Sequence, residues 1–435
     1  MRRKKVLLGA ATVGVITASL ALTTTAAQAD YAPSSKDVVG VGSDTLQNLV
    51  DFVADGDHLG DTGYNTLGNA NKLVSFDATA DANARLAYSP QGVGNTPGNS
   101  ATNNCAPGTG ATQGTGNQNT THTGDVPCTL NPTIVLRAGT QPVQRPNGSG
   151  AGFNFLVADT KHLADFSRAS SARGSGGNTM DSITVGTDGL AMLSSSTTNA
   201  VALSTTQLQA IYNCSVTTWN DPTLGGTSSD TIKPLLPQIG SGTRTSFLSA
   251  IGVTTPGSCV TNVEENDPEA IDASGAPTDA IEPMSSGRLN LYLGKLSDGT
   301  ANDGGSGIGY FKDPSCVGYS SVCTGNTTLT PNVKYWTTGT PKSGSLFNIN
   351  RSLYLYFRDA DINSTKVFQP GGTLNWVRTL FYNPCSGAGH TTGCVTIGGT
   401  TYGPGGAPYF ATSSAQSLIS AAGVVPTYAF TQFGP

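Results

Sequence analysis

Three short turns rich in glycine and hydroxyl side chains are the part of this sequence best suited to chemistry. They are Gly42-Ser-Asp-Thr45, Asn147-Gly-Ser-Gly-Ala-Gly152 and Gly240-Ser-Gly-Thr-Arg244. Small residues let backbone amides approach a ligand closely, and hydroxyl groups donate hydrogen bonds. A helix that begins at such a turn adds about half a positive charge at its N-terminus. Together the three turns predict a cage for an oxyanion.

The segments around these turns predict strands that lead into helices. Residues 38–41 read as a buried strand, and apolar residues from Leu46 to Val53 then recur at helical spacing. Leu235-Leu236 leads into the third turn, after which another helix is expected. Further strands are predicted at 163–166, 189–193, 304–311 and 352–357, and further helices at 204–212 (capped by Ser204 or Thr205), 373–381 and 415–422. Strands alternating with helices indicate an α/β fold.

The order of several motifs resembles that of the phosphate-binding receptors of bacterial ABC importers, in the type II periplasmic-binding-protein superfamily. The motifs are Val41–Thr45, Asn147–Gly152, Asp165–Ser171, Val185–Ala191, Leu208–Tyr212 with Thr218–Pro222, Gly240–Phe247 and Gly307–Tyr310. The resemblance implies two α/β lobes, each a mixed sheet flanked by helices, joined by a hinge of two crossing strands. Residues 30–187 and 346–435 would form lobe I, and residues 188–345 lobe II.

The resemblance also implies a set of residues that bind phosphate in the cleft between the lobes. They are Ser43, Asp44, Thr45, Ser149, Gly150, Arg168, Ser170, Ser171, Ser241, Gly242, Thr243 and Arg244. The turns would supply amides and hydroxyls, while Arg244, Arg168 or Arg173 would supply positive charge. An ABC permease is the protein partner that this resemblance implies, and we expect a monomer without a cofactor.

Two positions depart from the family pattern. Ser170 and Ser171 stand where some members have an aspartate that accepts the proton of hydrogen phosphate, so Asp44 or Asp165 would have to replace it. Pro237 stands where an arginine often precedes the third turn. The ligand is therefore expected to be phosphate or a related oxyanion.

The N-terminal residues predict export. Four basic residues, an apolar segment and Ala27-Gln-Ala29 form a signal peptide over residues 1–29. The first 104 residues contain no cysteine for a lipid anchor, and no later apolar run is long enough to span a membrane. Removal of the signal peptide leaves 19 basic against 28 acidic residues, a net charge of −9. We therefore expect a secreted protein that does not bind nucleic acid.

Eight cysteines behind an export signal predict disulfides rather than a metal site. Sequential pairing would give Cys105–Cys128, Cys214–Cys259, Cys316–Cys323 and Cys385–Cys394, although the sequence alone leaves the connectivity open. The polar segment 92–131 is interpreted as a surface insertion without a binding role. Zinc is the alternative, but no C-x-x-C pair is present and the four histidines are scattered.

Two other functions compete with oxyanion binding. A secreted hydrolase would need a nucleophile elbow, but neither Ser149 nor Ser241 stands in the full G-x-S-x-G pattern, and His162 and His390 lack a recognisable context. The glutamates at 264, 265, 269 and 282 lie in a stretch that we interpret as a solvated loop. A surface or matrix protein that uses the same fold without transport is the second alternative. We expect a binding protein and not an enzyme.

Overall fold

The computed structural model describes residues 32–57, 60–78, 133–140, 143–173, 179–268, 270–292, 333–362, 375–385 and 393–432. The predicted signal peptide, the whole of the 92–131 insertion, the 304–311 strand and four of the cysteines (Cys105, Cys128, Cys316 and Cys323) lie outside these residues.

The strands and helices alternate over most of the described chain. The strands are β1 (Val38–Gly42), β2 (Leu73–Ser75), β3 (Thr133–Ile134), β4 (Val143–Gln144), β5 (Phe166–Ala169), β6 (Met180–Ser195), β7 (Lys233–Pro237), β8 (Thr261–Val263), β9 (Ala280–Ser285), β10 (Val333–Tyr335), β11 (Asn348–Arg358), β12 (Val395–Ile397), β13 (Thr400–Tyr402) and β14 (Val425–Gln432). The helices are α1 (Gln47–Asp55), α2 (Ser149–Ala158), α3 (Thr205–Tyr212), α4 (Gly242–Ile251), α5 (Ala270–Ala273), α6 (Ser286–Tyr292), α7 (Asp359–Ile362), α8 (Trp376–Leu380) and α9 (Ser413–Ala421).

One large mixed sheet runs through the molecule. Its strand order is β2-β1-β5-β11-β6-β9-β7-β8, with β10 and β14 also paired to β6. The first half of β6 pairs with β14 and the second half with β9, while β11 follows β6 antiparallel over most of its length. The long strands β6 and β11 therefore connect the two ends of the sheet, as expected for two crossing hinge strands.

The buried apolar side chains separate near the middle of these long strands. Val185 of β6 packs in a core with α1 and α9, whereas Leu190 of the same strand packs in a core with α3 and α4. Separate buried clusters at the two ends of this pair of strands confirm the predicted two-lobed α/β fold. The residue limits given above for the lobes remain a prediction.

Most of the predicted elements that fall within the described residues are present, and several differ in extent. Ser204 forms a capping box with Gln207 at the start of α3, as its sequence predicts. The strand predicted at 163–166 begins instead at Phe166, and the one predicted at 189–193 is only part of β6. The centre of β6 is Gly186-Thr-Asp-Gly189, a polar sequence that by itself indicates a turn, so the full length of the strand is not evident from local pattern.

Two of the four predicted disulfides fall within the described residues, and both are confirmed. Cys214 pairs with Cys259, and Cys385 pairs with Cys394. The first of these joins the end of α3 to the segment that precedes β8. It therefore ties together two segments on the lobe that carries the third turn.

Candidate functional site

The carboxyl ends of β1 and β5 bring the first turn close to Ser170. The two strands run parallel, with Gly42 opposite Arg168, so the loops that follow them leave the sheet at the same edge. Ser43 Oγ donates a hydrogen bond of 3.3 Å to Ser170 Oγ. Both serines are fully buried, so this contact is shielded from solvent.

The N-terminus of α2 adds a third hydroxyl group. Ser149 is the first residue of α2, and its Oγ lies 3.3 Å from Ser170 Oγ. The same oxygen accepts a hydrogen bond of 2.9 Å from the Ser170 amide. Three serines from three separate segments thus form one group, called here the serine cluster (Ser43, Ser149 and Ser170).

Gly242, the first residue of α4, closes the serine cluster from the opposite side. A Cβ atom at this position would lie 2.3 Å from both Ser149 Oγ and Ser170 Oγ, so a larger residue requires these groups to move. The Gly150 amide also donates a hydrogen bond of 2.8 Å to the Gly240 carbonyl. The second and third turns are in direct contact, and a tetrahedral oxyanion would have to separate them to enter.

The carboxylate of Glu265 accepts a hydrogen bond from a backbone amide at the start of α4. The Thr243 amide donates a hydrogen bond of 3.1 Å to Glu265 Oε1, and Thr45 Oγ1 donates one of 3.2 Å to the same oxygen. The Oγ1 atoms of Thr45 and Thr243 lie 3.5 Å apart. Ser241 Oγ caps the helix by accepting a bond of 3.0 Å from the Arg244 amide. The cradle of Thr45 and Thr243 is therefore filled by Glu265.

Asp44 bridges the first turn to the junction between β9 and α6. Its Oδ1 accepts a hydrogen bond of 2.8 Å from Asn266 Nδ2, and its Oδ2 lies 3.4 Å from Arg288 Nη2. The Asn266 Oδ1 atom in turn accepts from the Ser285 amide at 3.2 Å. Asp44 is thus an acceptor within a network and lies close to the buried Glu265.

The stretch that contains Glu264, Glu265 and Glu282 is not the solvated loop that its sequence predicts. Glu265 and Glu282 are each 2% exposed. Glu265 and Asn266 of the loop after β8 are buried, whereas Glu264 is half-buried. Because β8 lies parallel to β7, both strands deliver their following loops to one edge of the sheet. The loop after β7 is the third turn, and the loop after β8 therefore reaches the site. Glu269 lies outside the described residues.

Glu264 contacts the second turn through amide side chains. Its Oε1 accepts hydrogen bonds from Asn147 Nδ2 at 2.9 Å and from Gln238 Nε2 at 3.0 Å. Gln238 Nε2 also donates to Asn147 Oδ1 at 2.9 Å. Burial raises the pKa of Glu264 to about 8, while the Asn147 donor acts in the opposite direction. This carboxyl group therefore titrates near neutral pH.

Arg168 lies beneath the first turn. Its Nε donates to the Ser43 carbonyl at 3.1 Å, and its Nη2 donates to the carbonyls of Gly42 and Phe76 at 3.2 and 2.7 Å. Its Nη1 donates to Ser75 Oγ. Burial lowers the pKa of Arg168 to about 10, which still leaves the guanidinium charged at neutral pH. Arg168 thus links the ends of β1 and β2 from below, and its hydrogen bonds do not reach the serine cluster.

Arg244 points away from the serine cluster. Its Nη1 donates to the Pro237 carbonyl and to Asn262 Oδ1, each at 2.8 Å. Both acceptors belong to β7 and β8 on its own side of the site. Arg244, the last residue of the third turn, therefore stabilises the contact of that turn with β7 and β8.

Arg173 lies beside the second turn and contacts Ser171. Its Nη2 donates a hydrogen bond of 2.7 Å to Ser171 Oγ, and its amide donates to the Tyr356 hydroxyl at 2.8 Å. A Cβ atom on Gly150 would lie 3.3 Å from Arg173 Nη1. Of the three arginines that the sequence offered, Arg173 is the one beside the contact between the turns.

Three arginines around Asp44 and Glu265 have a buried nitrogen without a hydrogen-bond partner in the protein. These atoms are Arg173 Nε, Arg288 Nη1 and Arg351 Nη1. Arg173 and Arg351 both interact with Glu265 through electrostatic attraction. Buried, charged donors of this kind gain most from an anionic acceptor.

The sequence prediction missed Glu265, Asn266, Arg288 and Arg351 as residues of this site. Arg351 is opposite Asp188 in the pairing of β11 with β6, so its place depends on the strand crossing. Glu265 and Asn266 follow β8, and a parallel partner for β7 was the signal that could have located them. These contacts depend on sheet order, which a single segment of sequence does not contain.

The middle of the chain matches a known protein family. Residues 136–310 match the family model of a PBP superfamily domain. The matched segment contains the second and third turns, Ser170 and Glu265, whereas the first turn and Arg351 lie outside it. The contacts described above therefore join residues of the matched segment to residues before and after it.

Solved structures similar to this chain include an ABC-type phosphate transport receptor from Vibrio cholerae, with 19% identity and a TM-score of 0.32 over 51% of this chain and 76% of that chain. A putative phosphate ABC transporter substrate-binding protein with bound phosphate from Clostridium perfringens has 15% identity and a TM-score of 0.31 over 49% and 72%. PstS from Borrelia burgdorferi has 12% identity and a TM-score of 0.32 over 74% and 87%. A search of curated proteins found no match.

The described residues contain neither a metal-binding cluster nor a helix that could span a membrane. Within these ranges, no group of three or more histidine, cysteine, aspartate or glutamate side chains is arranged to hold a metal ion. In the same part of the chain, no helix is both long and apolar enough to cross a bilayer.

Proposed function

We propose that this chain is a solute-binding protein that captures phosphate between its two lobes and is not an enzyme. The observation that carries the proposal is the convergence of the three turns on the serine cluster and Gly242. Hydroxyl groups and the N-termini of α2 and α4 favour negative charge. The match of residues 136–310, which include two of these turns, to the model of a PBP superfamily domain supports the same role.

Positive charge for the anion comes from residues that the family pattern does not predict. Pro237 replaces the arginine that often precedes the third turn, and its carbonyl accepts a hydrogen bond from Arg244. Arg351 Nη1 and Arg173 Nε are buried donors without a partner in the protein. We propose that these two guanidinium groups neutralise the oxyanion once the turns separate.

The surroundings of the serines support binding rather than hydrolysis. In the part of the chain that the structure describes, His162 is the sole histidine, and it is exposed. A serine nucleophile needs a base within hydrogen-bond reach. The contacts of the serine cluster are instead other serines and backbone groups.

We further propose that the protein is exported and delivers phosphate to an ABC permease. The predicted signal peptide and the receptor-like order of motifs support this role. Binding to the permease would depend on lobe closure, because β6 and β11 couple the two cores.

Isothermal titration of the purified, phosphate-stripped protein tests the proposal. Phosphate should bind, and Thr45→Val should weaken its binding by about 10- to 100-fold, since a hydrogen bond to a charged group contributes about 1.5–3 kcal/mol. Sulfate and molybdate serve as competing ligands. Absence of heat with all three anions, in protein shown to be folded, would contradict the proposed function.

Thr396→Val is a matched control. Its Oγ1 lies 3.1 Å from Thr401 Oγ1 in the exposed β12–β13 hairpin, so it also removes one hydroxyl of a threonine pair. The affinity for phosphate should not change in this variant. An equal loss in both variants would show that the effect of Thr45→Val is not specific to the site.

A further inference from the structure

The carboxylate of Glu265 has the contacts that a bound oxyanion would need. It is 2% exposed, and its Oε1 accepts from the Thr243 amide at 3.1 Å and from Thr45 Oγ1 at 3.2 Å. Thr243 is the second residue of the ten-residue helix α4, where the free amides and the helix dipole attract anions. The strongest donors of the cradle are therefore already used by an anion from the same chain.

We propose that Glu265 is an internal ligand of this cradle, and that an incoming oxyanion displaces it. This inference rests on the proposed function. Glu265 then acts as a built-in competitor that sets the affinity of the site and fills it between binding events. The residue is supplied by the loop after β8, which is separate in sequence from all three turns.

The second carboxylate oxygen shows why the internal ligand can be replaced. Glu265 Oε2 is buried and has no hydrogen-bond partner in the protein. A buried acceptor without a partner is costly, so this carboxylate is held less firmly than a fully bonded one. Burial, together with like-charge repulsion from nearby Asp44, raises the pKa of Glu265 and so destabilises the bound carboxylate. The cradle therefore binds one oxygen of the Glu265 carboxylate and leaves the other without a hydrogen bond.

A tetrahedral oxyanion has more acceptor oxygens than a carboxylate. One oxygen could replace Glu265 Oε1 at Thr45 and Thr243, which leaves others for Arg351 Nη1 and Arg173 Nε. Both arginines already interact electrostatically with Glu265. Displacement would therefore exchange a partly bonded carboxylate for an anion with more donors available to it.

The test compares phosphate binding to the wild type and to Glu265→Gln by isothermal titration. Glutamine keeps the size of the side chain but removes its charge, and a neutral acceptor forms weaker bonds to the amide of Thr243. We expect phosphate to bind at least tenfold more tightly to Glu265→Gln. In the wild type, the amide resonance of Thr243 should shift when phosphate is added.

Glu282→Gln provides the matched control. Glu282 is also 2% exposed, and neither of its carboxylate oxygens has a hydrogen-bond partner in the protein. It lies in β9, opposite Leu193 of β6. Its substitution should leave phosphate affinity within about twofold, which separates displacement from the general effect of removing a buried charge.

Each outcome distinguishes the inference from the function on which it rests. Tighter binding to Glu265→Gln alone, or binding that appears only in that variant, supports displacement. Equal or weaker binding to Glu265→Gln, with phosphate still bound by the wild type, overturns displacement and leaves the proposed function intact. If neither protein binds phosphate and the Thr243 resonance does not respond, both proposals are wrong.

Discussion

Two buried carboxylates near the centre of the molecule have very different surroundings. Asp188, where β6 crosses β11, is 1% exposed, and Glu265, in the cradle, is 2% exposed. Asp188 accepts five hydrogen bonds, from Ser285 Oγ, Ser286 Oγ, the Gly287 amide, Arg351 Nε and Arg351 Nη2. Glu265 accepts two on one oxygen and none on the other.

This difference separates a carboxylate that supports the fold from one that fills a site. Both oxygens of Asp188 are bonded, and its Oδ2 lies 2.8 Å from the Nη2 of Arg351 on the opposite strand. Removing one partner of such a pair leaves an uncompensated buried charge. Glu265 Oε2 has no hydrogen-bond partner, so fewer hydrogen bonds are lost when this carboxylate leaves the cradle. The comparison predicts opposite effects when each charge is removed.

The largest effect is expected for Asp188→Asn. It should lower the free energy of unfolding by about 3–5 kcal/mol, because Arg351 would remain buried without its anionic partner. Glu265→Gln should leave this free energy unchanged or raise it, since it removes a poorly bonded charge. Urea unfolding at neutral pH, followed by circular dichroism, measures both.

Asp230→Asn is a control for the first comparison. Asp230 is exposed, and its substitution should change the free energy of unfolding by less than about 0.5 kcal/mol. Equal destabilisation by Asp188→Asn and Glu265→Gln would remove the distinction between the two carboxylates.

A smaller effect is expected from the titration of Glu264. Burial raises the pKa of Glu264 from its ordinary value of 4.5 to about 8, so the folded protein binds more protons than the unfolded chain between these values. The free energy of unfolding of the wild type, relative to Glu264→Gln, should therefore fall as the pH rises from about 4.5 to about 8. Urea midpoints of both proteins at pH 5, 6.5 and 8 measure this change. A constant difference, or one that grows in favour of the wild type, would contradict it.

The turns could be predicted from sequence because their chemistry is local. A glycine, a hydroxyl residue and the start of a helix follow one another within a few positions, as from Gly240 to Thr243. The fold class followed from the alternation of strands and helices and from the order of motifs. In each case the informative residues are neighbours in the chain.

The charges of the site could not be predicted in the same way. Glu265 reaches the cradle because β8 pairs with β7, and Arg351 meets Asp188 because β11 pairs with β6. Sequence proximity instead favoured Arg244 and Arg168, whose hydrogen bonds lead elsewhere. In a mixed sheet of this order, the partner of a charge is decided by strand pairing over long sequence distances.

The smallest effect is expected for Arg244→Ala. The guanidinium of Arg244 bonds to the Pro237 carbonyl and to Asn262, on the flank of the third turn. Loss of this partly exposed side chain should change phosphate affinity by less than about threefold, because it removes no donor from the cradle. Arg351→Lys should weaken binding more than Arg244→Ala does, since it removes the buried Nη1 atom from the site. Isothermal titration compares the phosphate affinities of the two variants. A greater loss of affinity in Arg244→Ala would show that Arg244, and not Arg351, supplies the positive charge for binding.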